Sequence, residues 1–442
     1  MERLFGTDGI RARAGLYPLD PRTVFVLGRS IGRFFGQGSN ILIGMDTRES
    51  GPDIAAQLAL GLDETGCVVH FGGVLPTPAV AALTASHPEL NGGVVISASH
   101  NPYMDNGIKV FRDDGTKLTD DEEDVIEDFI RVDTSSGSTR TVDLDPEEKF
   151  QKHYIERLLQ SVTPFPATRP LTIVVDSAHG AATRAVKEVF SHLPLDLIHI
   201  GHTPNGTNIN HGVGSQHPEL CRKMVLETGA AAGICLDGDG DRLILIDEMG
   251  NILTGDHLLY AIALDLYRSG QLPGNRIVAT VMSNGGLIRA LDDHGISVAS
   301  CPVGDRYVWK AMMEENIYLG GEQSGHIINR HWSTSGDGLL NGLQVLHALA
   351  QEGKTLSQLA PIPIFPQTLK SFTCSVKREL ETIPGYLELH ARLIGHLAPG
   401  GRILVRYSGT EPKVRIMVEG EDPEGVTEVT EELEQFLKTS LS

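Results

Sequence analysis

Segments typical of β-strands alternate with segments typical of α-helices along this chain, and that alternation constrains the fold more than any other feature of the sequence. Asp20 and Pro21 predict the start of a helix, and apolar residues then recur at helical spacing from Val24 to Phe34. A second helix is predicted over residues 52–65. The apolar runs that predict strands in this stretch span residues 41–45, 68–69 and 93–97. Such alternation favours parallel sheets covered by helices.

The same alternation restarts after a polar stretch at residues 133–140, which we interpret as a linker. A third repetition begins near Gly255. The predicted strands of these two stretches include residues 172–176, 243–246, 277–280 and 317–320. Three predicted strands end in the segments GMDTRES, VVDSAHG and ATVMSNGG, which are compatible with a duplicated unit.

The C-terminal part of the chain has a different pattern. Pro361, Pro363 and Pro366 lie close together and cannot occupy the interior of a helix, so we place the last domain boundary there. The strands predicted beyond them span residues 368–376, 402–407 and 414–418, and a final helix follows Asp422. We therefore predict an α/β protein with three similar α/β units of mixed, mostly parallel sheets and a smaller C-terminal α+β domain. The predicted domains span residues 1–145, 146–250, 251–362 and 363–442.

Composition argues against several classes of function. The chain has 37 Lys and Arg against 57 Asp and Glu, and a net charge of −20 does not suit a protein that lies along nucleic acid. No apolar run approaches the roughly 18 residues that span a bilayer, and residues 1–10 lack a signal-peptide layout. The 5 cysteines include no CxxC pair, which predicts reduced thiols. We expect a cytoplasmic monomer or homodimer with no nucleic-acid or membrane partner.

Three carboxylates alternate with two glycines in residues 237–242, which we call the aspartate loop. Alternate residues of an extended loop project to the same side, so Asp237, Asp239 and Asp241 can converge. Three carboxylate oxygens suit a hard dication such as Mg²⁺. Two alternatives are a solvated acidic turn and a calcium EF-hand, although Arg242 stands where the EF-hand requires glycine.

A second polar loop, the serine loop (residues 97–102), follows a predicted strand at the end where α/β proteins place active sites. A serine beside His100 could serve a hydrolase, but the GxSxG elbow is missing and adjacent residues rarely meet in that geometry. If a serine here carried a phosphoryl group, the aspartate loop could supply its metal and Lys109 could move protons or neutralise charge. An ordinary turn is the alternative.

The GEQSGH loop (residues 321–326) follows another predicted strand. It offers a carboxylate, an amide, a hydroxyl and an imidazole, and that set suits several sugar hydroxyls. For His326 alone, a buried structural histidine is the simpler interpretation.

The C-terminal loop (residues 406–412) places two hydroxyls and a glycine between arginines at a strand end. Arg406 and Arg415 supply bidentate donors for a phosphate, and backbone N–H groups can complete the shell. The alternative is a plain exposed loop.

Six motifs occur in one order, and together they resemble the α-D-phosphohexomutase family over essentially the whole chain. They are FGTDGIRA (5–12), ISASHNP (96–102), DNGIKVF (105–111), DGDGDR (237–242), GEQSGH (321–326) and RYSGTEPKVRIMVEG (406–420). The GEQSGH loop and residues 204–219 resemble the branch of the family that acts on glucosamine phosphate, since glucose and mannose mutases more often carry GEMSGH or GEESGH.

The resemblance implies four domains around a central cleft, each contributing one loop. It implies that Ser99 is phosphorylated, that Mg²⁺ is the cofactor and that a sugar 1,6-bisphosphate is the intermediate. The implied reaction interconverts glucosamine 6-phosphate and glucosamine 1-phosphate, a precursor for cell-wall synthesis. A glucose or mannose phosphate mutase and an inactive phosphosugar-binding protein are the alternatives.

The resemblance also assigns residues to roles. The implied catalytic residues are Ser99, Lys109, Arg11, His100 and Arg242. The implied metal ligands are Ser99, Asp237, Asp239 and Asp241. The implied substrate-binding residues are Glu322, Ser324, His326, Arg406, Ser408, Gly409, Thr410 and Arg415. Ala12 stands where the family usually has glycine, so its methyl group could alter the backbone beside Arg11.

Overall fold

The computed structural model describes residues 3–6, 8–135, 137, 140, 142, 144–166, 170–397, 400–408 and 412–441. The chain divides into two compact units. The first unit combines Met1–Met282 with Val298–Pro361, and the second combines Ser283–Ser297 with Ile362–Ser442. None of the described helices is both long enough and apolar enough to cross a membrane.

The first sheet is built from the N-terminal part of the chain. Its elements are β1 (Ile10–Arg13), α1 (Pro21–Phe35), β2 (Asn40–Met45), α2 (Gly51–Glu64), β3 (Val68–Val74), α3 (Thr77–Ser86), β4 (Gly92–Ile96), β5 (Asp105–Arg112) and α4 (Asp120–Val132). The strand order is β1-β5-β4-β2-β3. Strands β3, β2 and β4 are parallel, β5 is antiparallel to β4, and β1 is antiparallel to β5. Helix α1 starts as predicted, because the Asp20 side chain accepts a hydrogen bond from the Thr23 N–H at 3.1 Å.

A second sheet repeats this arrangement. Its elements are α5 (Glu148–Gln160), β6 (Leu171–Asp176), α6 (Thr183–Phe190), β7 (Leu195–Ile200), α7 (Glu219–Thr228), β8 (Ala232–Leu236), β9 (Leu243–Ile246) and β10 (Ile252–Leu253). The strand order is β10-β9-β8-β6-β7, in which β7, β6 and β8 are parallel and β9 and β10 antiparallel.

The third sheet follows the same order once more. The elements of this stretch are α8 (Gly255–Arg268), a 3₁₀ turn (Pro273–Asn275), β11 (Arg276–Thr280), α9 (Gly285–Asp292), β12 (Ser297–Cys301), α10 (Asp305–Glu314), β13 (Leu319–Gly321), β14 (Ile327–Asn329), α11 (Gly338–Glu352) and α12 (Leu356–Leu359). The order is β12-β11-β13-β14, with β11 and β13 parallel and β14 antiparallel. The three similar α/β units expected from the sequence are therefore confirmed.

The second compact unit is an antiparallel sheet with helices. Its elements are β15 (Gln367–Thr373), a 3₁₀ turn (Leu380–Thr382), α13 (Tyr386–His396), β16 (Arg402–Tyr407), β17 (Lys413–Glu419) and α14 (Pro423–Ser440), in the strand order β15-β17-β16. Helix α9 belongs to this unit, because Asn284 exchanges two hydrogen bonds of 3.0 Å with the Phe365 backbone and the Gly285 N–H donates to Glu419 at 3.0 Å. The predicted α+β character of the C-terminal part is confirmed.

Candidate active site

Three of the four loops singled out in the sequence occupy the same connection in three sheets. In each case the loop joins a strand with a parallel neighbour to the next, antiparallel strand. The serine loop joins β4 to β5, the aspartate loop joins β8 to β9, and the GEQSGH loop joins β13 to β14. Because strands flank the aspartate loop on both sides, the EF-hand alternative is excluded.

Ser99 lies in the serine loop with no exposed surface. Its hydroxyl donates a hydrogen bond to Asp237 Oδ2 at 2.6 Å, and its Oγ lies 3.2 Å from His100 Nδ1. Its backbone is left-handed, with φ of 51°, which is uncommon for a residue other than glycine. The other serine, Ser97, turns away from the aspartate loop, since its hydroxyl donates to Asp46 at 2.6 Å. Ser99 is thus the serine placed against the carboxylates.

The three carboxylates of the aspartate loop converge. Asp237, Asp239 and Asp241 are buried, and one oxygen from each lies within 4.8 Å of the others. Burial and the two neighbouring carboxylates raise the pKa of Asp237 well above its usual range. Among the described residues, Asp239 Oδ1 and Asp241 Oδ1 are buried without a hydrogen-bond partner. A dication would supply the missing partners, and an all-oxygen donor set suits Mg²⁺.

Lys109, on β5, reaches into the same cluster from the first sheet. Its ammonium lies 2.9 Å from Asp239 Oδ2, 3.2 Å from Asp241 Oδ2 and 3.4 Å from Asp8 Oδ2, and its side chain is 1% exposed. Burial alone would lower the pKa of Lys109, but the three carboxylates raise it well above its usual range. Lys109 is therefore a fixed positive charge in this arrangement.

Arg11, on β1, does not touch the carboxylates of the aspartate loop directly. Its guanidinium pairs with Asp8, which also pairs with Lys117. Burial would raise the pKa of Asp8, but Lys109, Lys117 and Arg11 hold it far below its usual range. Asp8 was not among the residues predicted to form the site, although it lies within the FGTDGIRA motif and links Arg11 to Lys109.

Ala12 does not distort the strand that carries Arg11. It lies opposite Asn106 in the regular register between β1 and β5, and its side chain packs against the apolar core of the first sheet. The backbone beside Arg11 therefore keeps a regular strand pairing with alanine at position 12.

His100 lies beside Ser99, and Arg242 lies beside two carboxylates of the aspartate loop. Burial, together with the positive charges of Arg242 and Arg11, lowers the pKa of His100 to about 4, so that the imidazole is neutral at pH 7. The backbone N–H of Arg242 donates to Asp237 Oδ1 at 3.1 Å, and the side-chain Nε of Arg242 lies 3.8 Å from Asp241 Oδ1. Both residues thus adjoin the acidic cluster.

The GEQSGH loop meets the aspartate loop through one histidine. His326 Nδ1 lies 3.7 Å from Asp241 Oδ2, and His326 Nε2 accepts a hydrogen bond from the Gly336 N–H at 3.1 Å. Glu322 accepts a hydrogen bond from the Gly304 N–H at 2.8 Å, and the Ser324 hydroxyl donates to Glu322 at 3.3 Å. The serine, aspartate and GEQSGH loops therefore form one continuous polar cluster.

The predicted phosphate-binding residues lie in the second compact unit. Arg406 and Arg415 are directly opposite each other on β16 and β17. Burial and the neighbouring Arg415 lower the pKa of Arg406. The carbonyl oxygen of Ser408 accepts a hydrogen bond from Lys377 at 2.8 Å, a lysine that the sequence analysis missed. Like charges at paired positions repel each other. Gly409 and Thr410 lie outside the described residues.

Sequence models for the domains of one enzyme family match this chain in succession. The models described as phosphoglucomutase/phosphomannomutase alpha/beta/alpha domains I, II and III match residues 2–136, 152–250 and 254–363, and the C-terminal domain model matches residues 372–435. The chain belongs to the phosphoglucomutase/phosphomannomutase family. The family and the class of enzyme predicted from the sequence, a phosphohexomutase, are confirmed.

Individual proteins support the same assignment. The chain is 43% identical over 454 residues to a protein named Phosphoglucosamine mutase from Lawsonia intracellularis, covering 100% of this chain and 99% of the relative. A phosphoglucomutase/phosphomannomutase family protein from Burkholderia thailandensis, solved by X-ray crystallography, has a TM-score of 0.81 at 25% identity, covering 100% of this chain and 98% of that chain.

A more distant structure shares the fold. N-acetylphosphoglucosamine mutase from Aspergillus fumigatus, solved with GlcNAc-6P and magnesium, has a TM-score of 0.69 at 16% identity, covering 99% of this chain and 96% of that chain. Structures of this fold thus include one that holds magnesium together with a phosphosugar.

Proposed function

We propose that this enzyme interconverts glucosamine 6-phosphate and glucosamine 1-phosphate through a phosphoserine at Ser99 and a 1,6-bisphosphate intermediate. The observation that carries the proposal is the 2.6 Å hydrogen bond from the Ser99 hydroxyl to Asp237, inside a buried cluster of three aspartates. The choice of glucosamine is supported by the name of the 43% identical relative. The product would supply amino-sugar precursor for cell-wall synthesis in the cytoplasm.

Asp237, Asp239 and Asp241, with an oxygen on Ser99, would hold Mg²⁺. The Oδ1 atoms of Asp239 and Asp241, which accept no hydrogen bond from the part of the chain that the structure describes, support this assignment, since buried carboxylate oxygens normally find a partner. When bound, the metal neutralises charge on the transferring phosphoryl group and fixes its position. Lys109 contacts the Oδ2 atoms of Asp239 and Asp241 and leaves their Oδ1 atoms for the metal.

The chemical step needs little more than positioning and charge. The sugar hydroxyl oxygen forms a bond to phosphorus while the bond from phosphorus to Ser99 Oγ breaks, and the hydroxyl proton finally resides on Oγ. His100 has a ring nitrogen 3.2 Å from Oγ, so its imidazole adjoins the oxygen that gives up and takes back a proton. Arg11 and Arg242 contribute positive charge beside the group that moves.

The GEQSGH loop would bind the sugar, and the C-terminal loop would bind its second phosphate. Glu322, Ser324 and His326 would bind sugar hydroxyls. The residues that would hold the phosphate that is not being transferred are Arg406, Ser408, Gly409, Thr410 and Arg415. A bisphosphate intermediate must bind in two orientations, and paired arginines serve this purpose because they bind either phosphate equally well.

The proposal is tested by combining mass spectrometry with assays on three substrates. The purified enzyme is incubated with glucose 1,6-bisphosphate and Mg²⁺, and intact mass followed by peptide mapping locates any added phosphoryl group. Turnover is then compared on glucosamine, glucose and mannose 6-phosphates. We expect one phosphoryl group, on Ser99, and the highest kcat/KM with glucosamine 6-phosphate. Phosphorylation of Ser99 with a preference for glucose or mannose would keep the mechanism and reject the substrate, whereas an unmodified Ser99 would reject the mechanism.

A further inference from the structure

A fully buried arginine, Arg48, lies just beyond β2 and donates hydrogen bonds to the backbone of the serine loop. Its Nη2 donates to the carbonyl oxygens of Ser99 and Asn101, each at 2.9 Å. Its Nη1 donates to the carbonyl oxygens of Asp105, at 2.9 Å, and Pro102. Three carbonyl oxygens of the serine loop and that of Asp105, at the start of β5, thus converge on a single guanidinium whose side chain has no exposed surface.

The charge of Arg48 is balanced by one carboxylate that also holds the serine loop. Asp46 Oδ2 accepts from Arg48 Nε at 2.8 Å and from the Ser97 hydroxyl at 2.6 Å. The Ser97 hydroxyl in turn accepts from the Ser99 N–H at 2.9 Å. The peptide groups on both sides of Ser99 are therefore connected to the pair formed by Asp46 and Arg48.

A second donor reaches the serine loop from the stretch that builds the second sheet. Asn210 Nδ2 donates to the carbonyl oxygens of Ser99, at 2.9 Å, and Asn101, at 3.1 Å. Asn210 is itself fixed, because its N–H donates to the Ala178 carbonyl at 2.9 Å. The Ser99 carbonyl thus accepts from Arg48 and from Asn210.

These contacts explain how a non-glycine residue keeps a left-handed backbone. A φ of 51° at Ser99 is unfavourable for a side chain with a Cβ and persists only where the surroundings determine it. We propose that Arg48, assisted by Asn210, is a positioning residue that holds the Ser99 peptide so that Oγ stays directed at Asp237. This inference rests on the proposed function of Ser99 as the phosphoryl carrier.

Arginine suits this role and lysine does not. The guanidinium presents five N–H donors in a rigid plane, which can reach the Asp46 carboxylate and several carbonyl oxygens together. A lysine ammonium has three donors at one point, so Arg48→Lys would keep the charge beside Asp46 but could not donate to all four carbonyl oxygens at once. That variant separates charge from geometry.

The test compares Arg48→Lys with Arg29→Lys. Arg29 lies on α1 and pairs with Glu64 at 2.5 Å and Asp133 at 3.0 Å, so it is an ion-paired arginine that does not serve the serine loop. Both variants are assayed well below their melting temperatures, for kcat and KM on glucosamine 6-phosphate and for the rate at which Ser99 takes a phosphoryl group from labelled glucose 1,6-bisphosphate. The fraction of folded protein is measured by circular dichroism.

We expect Arg48→Lys to lower kcat and the rate of Ser99 phosphorylation together, by roughly 100-fold, because misplacement by about 1 Å has that effect. KM should stay within about twofold of the wild-type value, and Arg29→Lys should leave every rate within the same factor. Glycine can adopt the left-handed φ of 60° found at Asn210, so Asn210→Gly removes the side chain without straining the backbone. We expect this variant to lower both rates by roughly two- to tenfold, which is the effect of one lost neutral hydrogen bond.

Two results would overturn the inference. The first is a folded Arg48→Lys enzyme with wild-type kcat and wild-type Ser99 phosphorylation. The second is a loss in Arg48→Lys that disappears once rates are divided by the folded fraction, which would make Arg48 a purely structural residue. If Asn210→Gly also leaves kcat and the rate of Ser99 phosphorylation unchanged, the hydrogen bonds to the Ser99 carbonyl oxygen do not affect phosphoryl transfer. Failure of the wild-type enzyme to phosphorylate Ser99 would instead reject the proposed function together with this role.

Discussion

The serine loop and the GEQSGH loop occupy equivalent connections in two sheets of the same strand order, yet they are held very differently. In the serine loop, Ser97 and Ser99 are fully buried and the carbonyl oxygens accept hydrogen bonds from Arg48 and Asn210. In the GEQSGH loop, Gln323 and Ser324 are half-buried, and the only hydrogen bond recorded for the Ser324 side chain among the described residues is the 3.3 Å contact with Glu322. Donors from outside the serine loop therefore hold the backbone around Ser99, whereas the GEQSGH loop keeps two half-buried polar side chains, those of Gln323 and Ser324.

The difference separates two tasks within one fold. A group that forms and breaks a covalent bond benefits from a fixed backbone, since small displacements reduce rates strongly. A loop that recognises hydroxyl groups needs donors and acceptors that are not already used within the protein. The shared topology brings both loops to the aspartate loop, and their side chains then determine which task each performs. Four substitutions test this division, and we discuss them from the largest expected effect to the smallest.

Substitution of the carrier should have the largest effect. Ser99→Ala removes the oxygen that would carry the phosphoryl group, and we expect kcat to fall by on the order of 10⁴-fold or more while the fold is retained. Ser97→Ala is the matched control in the same loop. It leaves the buried Ser99 N–H without its 2.9 Å acceptor, and a cost of about 1–3 kcal/mol predicts a much milder loss. If Ser97 proved essential and Ser99 dispensable, the assignment of the carrier would be wrong.

Local sequence patterns predicted much of the fold but few of the residues that support the site. The apolar run at residues 243–246 coincides with β9, and the Asp20–Pro21 cap coincides with the start of α1. Both signals are local. Arg48 and Asn210 escaped notice because their partner Ser99 lies 51 and 111 positions away, and such contacts leave no periodic trace. The polar segments that contain Arg48 and Asn210 predict turns. Only the three-dimensional structure reveals the carbonyl oxygens to which these two side chains donate hydrogen bonds.

Substitution in the aspartate loop should have the next largest effect. Asp239→Asn keeps an oxygen but removes one charge from the site proposed to hold a dication. We expect activity to fall by on the order of 10²-fold and to recover only partly at high Mg²⁺. Thr77→Val is the control, since it removes only the 2.6 Å hydrogen bond to Asp239, and a change of about tenfold in Mg²⁺ affinity is expected. Full wild-type activity in the presence of a chelator would reject a metal at this loop.

The close approach of the serine and aspartate loops is tested at Gly238. A Cβ there would lie 2.6 Å from the Ser99 carbonyl oxygen and 2.8 Å from Asn210 Nδ2, so one of the loops must shift in Gly238→Ala. We expect kcat to fall by roughly 10- to 100-fold. Gly395→Ala in α13 is the control, because a Cβ at that helical position comes within 4 Å of no described neighbour and alanine favours the helix. Equal activity of the two variants would show that the loops tolerate separation.

The smallest and most informative change concerns the sugar. Gln323 is the position at which the GEQSGH loop differs from the GEMSGH and GEESGH patterns of glucose and mannose mutases. Its half-buried amide can donate and accept hydrogen bonds, whereas a methionine can do little of either. We predict that Gln323→Met lowers kcat/KM for glucosamine 6-phosphate more than for glucose 6-phosphate. The difference should be about two- to tenfold, which corresponds to one neutral hydrogen bond of about 0.5–1.5 kcal/mol.

Kinetics on both sugars, with Ser99 phosphorylation measured alongside, decide how the GEQSGH loop acts. Ser99 phosphorylation should stay at the wild-type level, because Gln323 lies in a different loop from the one that holds Ser99. Ser324→Ala provides the comparison, since Ser324 is assigned to binding of any sugar and its loss should affect both substrates alike. An equal loss on both sugars in Gln323→Met would mean that the amide shapes the loop from within. The preference for glucosamine would then have to come from residues outside the GEQSGH loop.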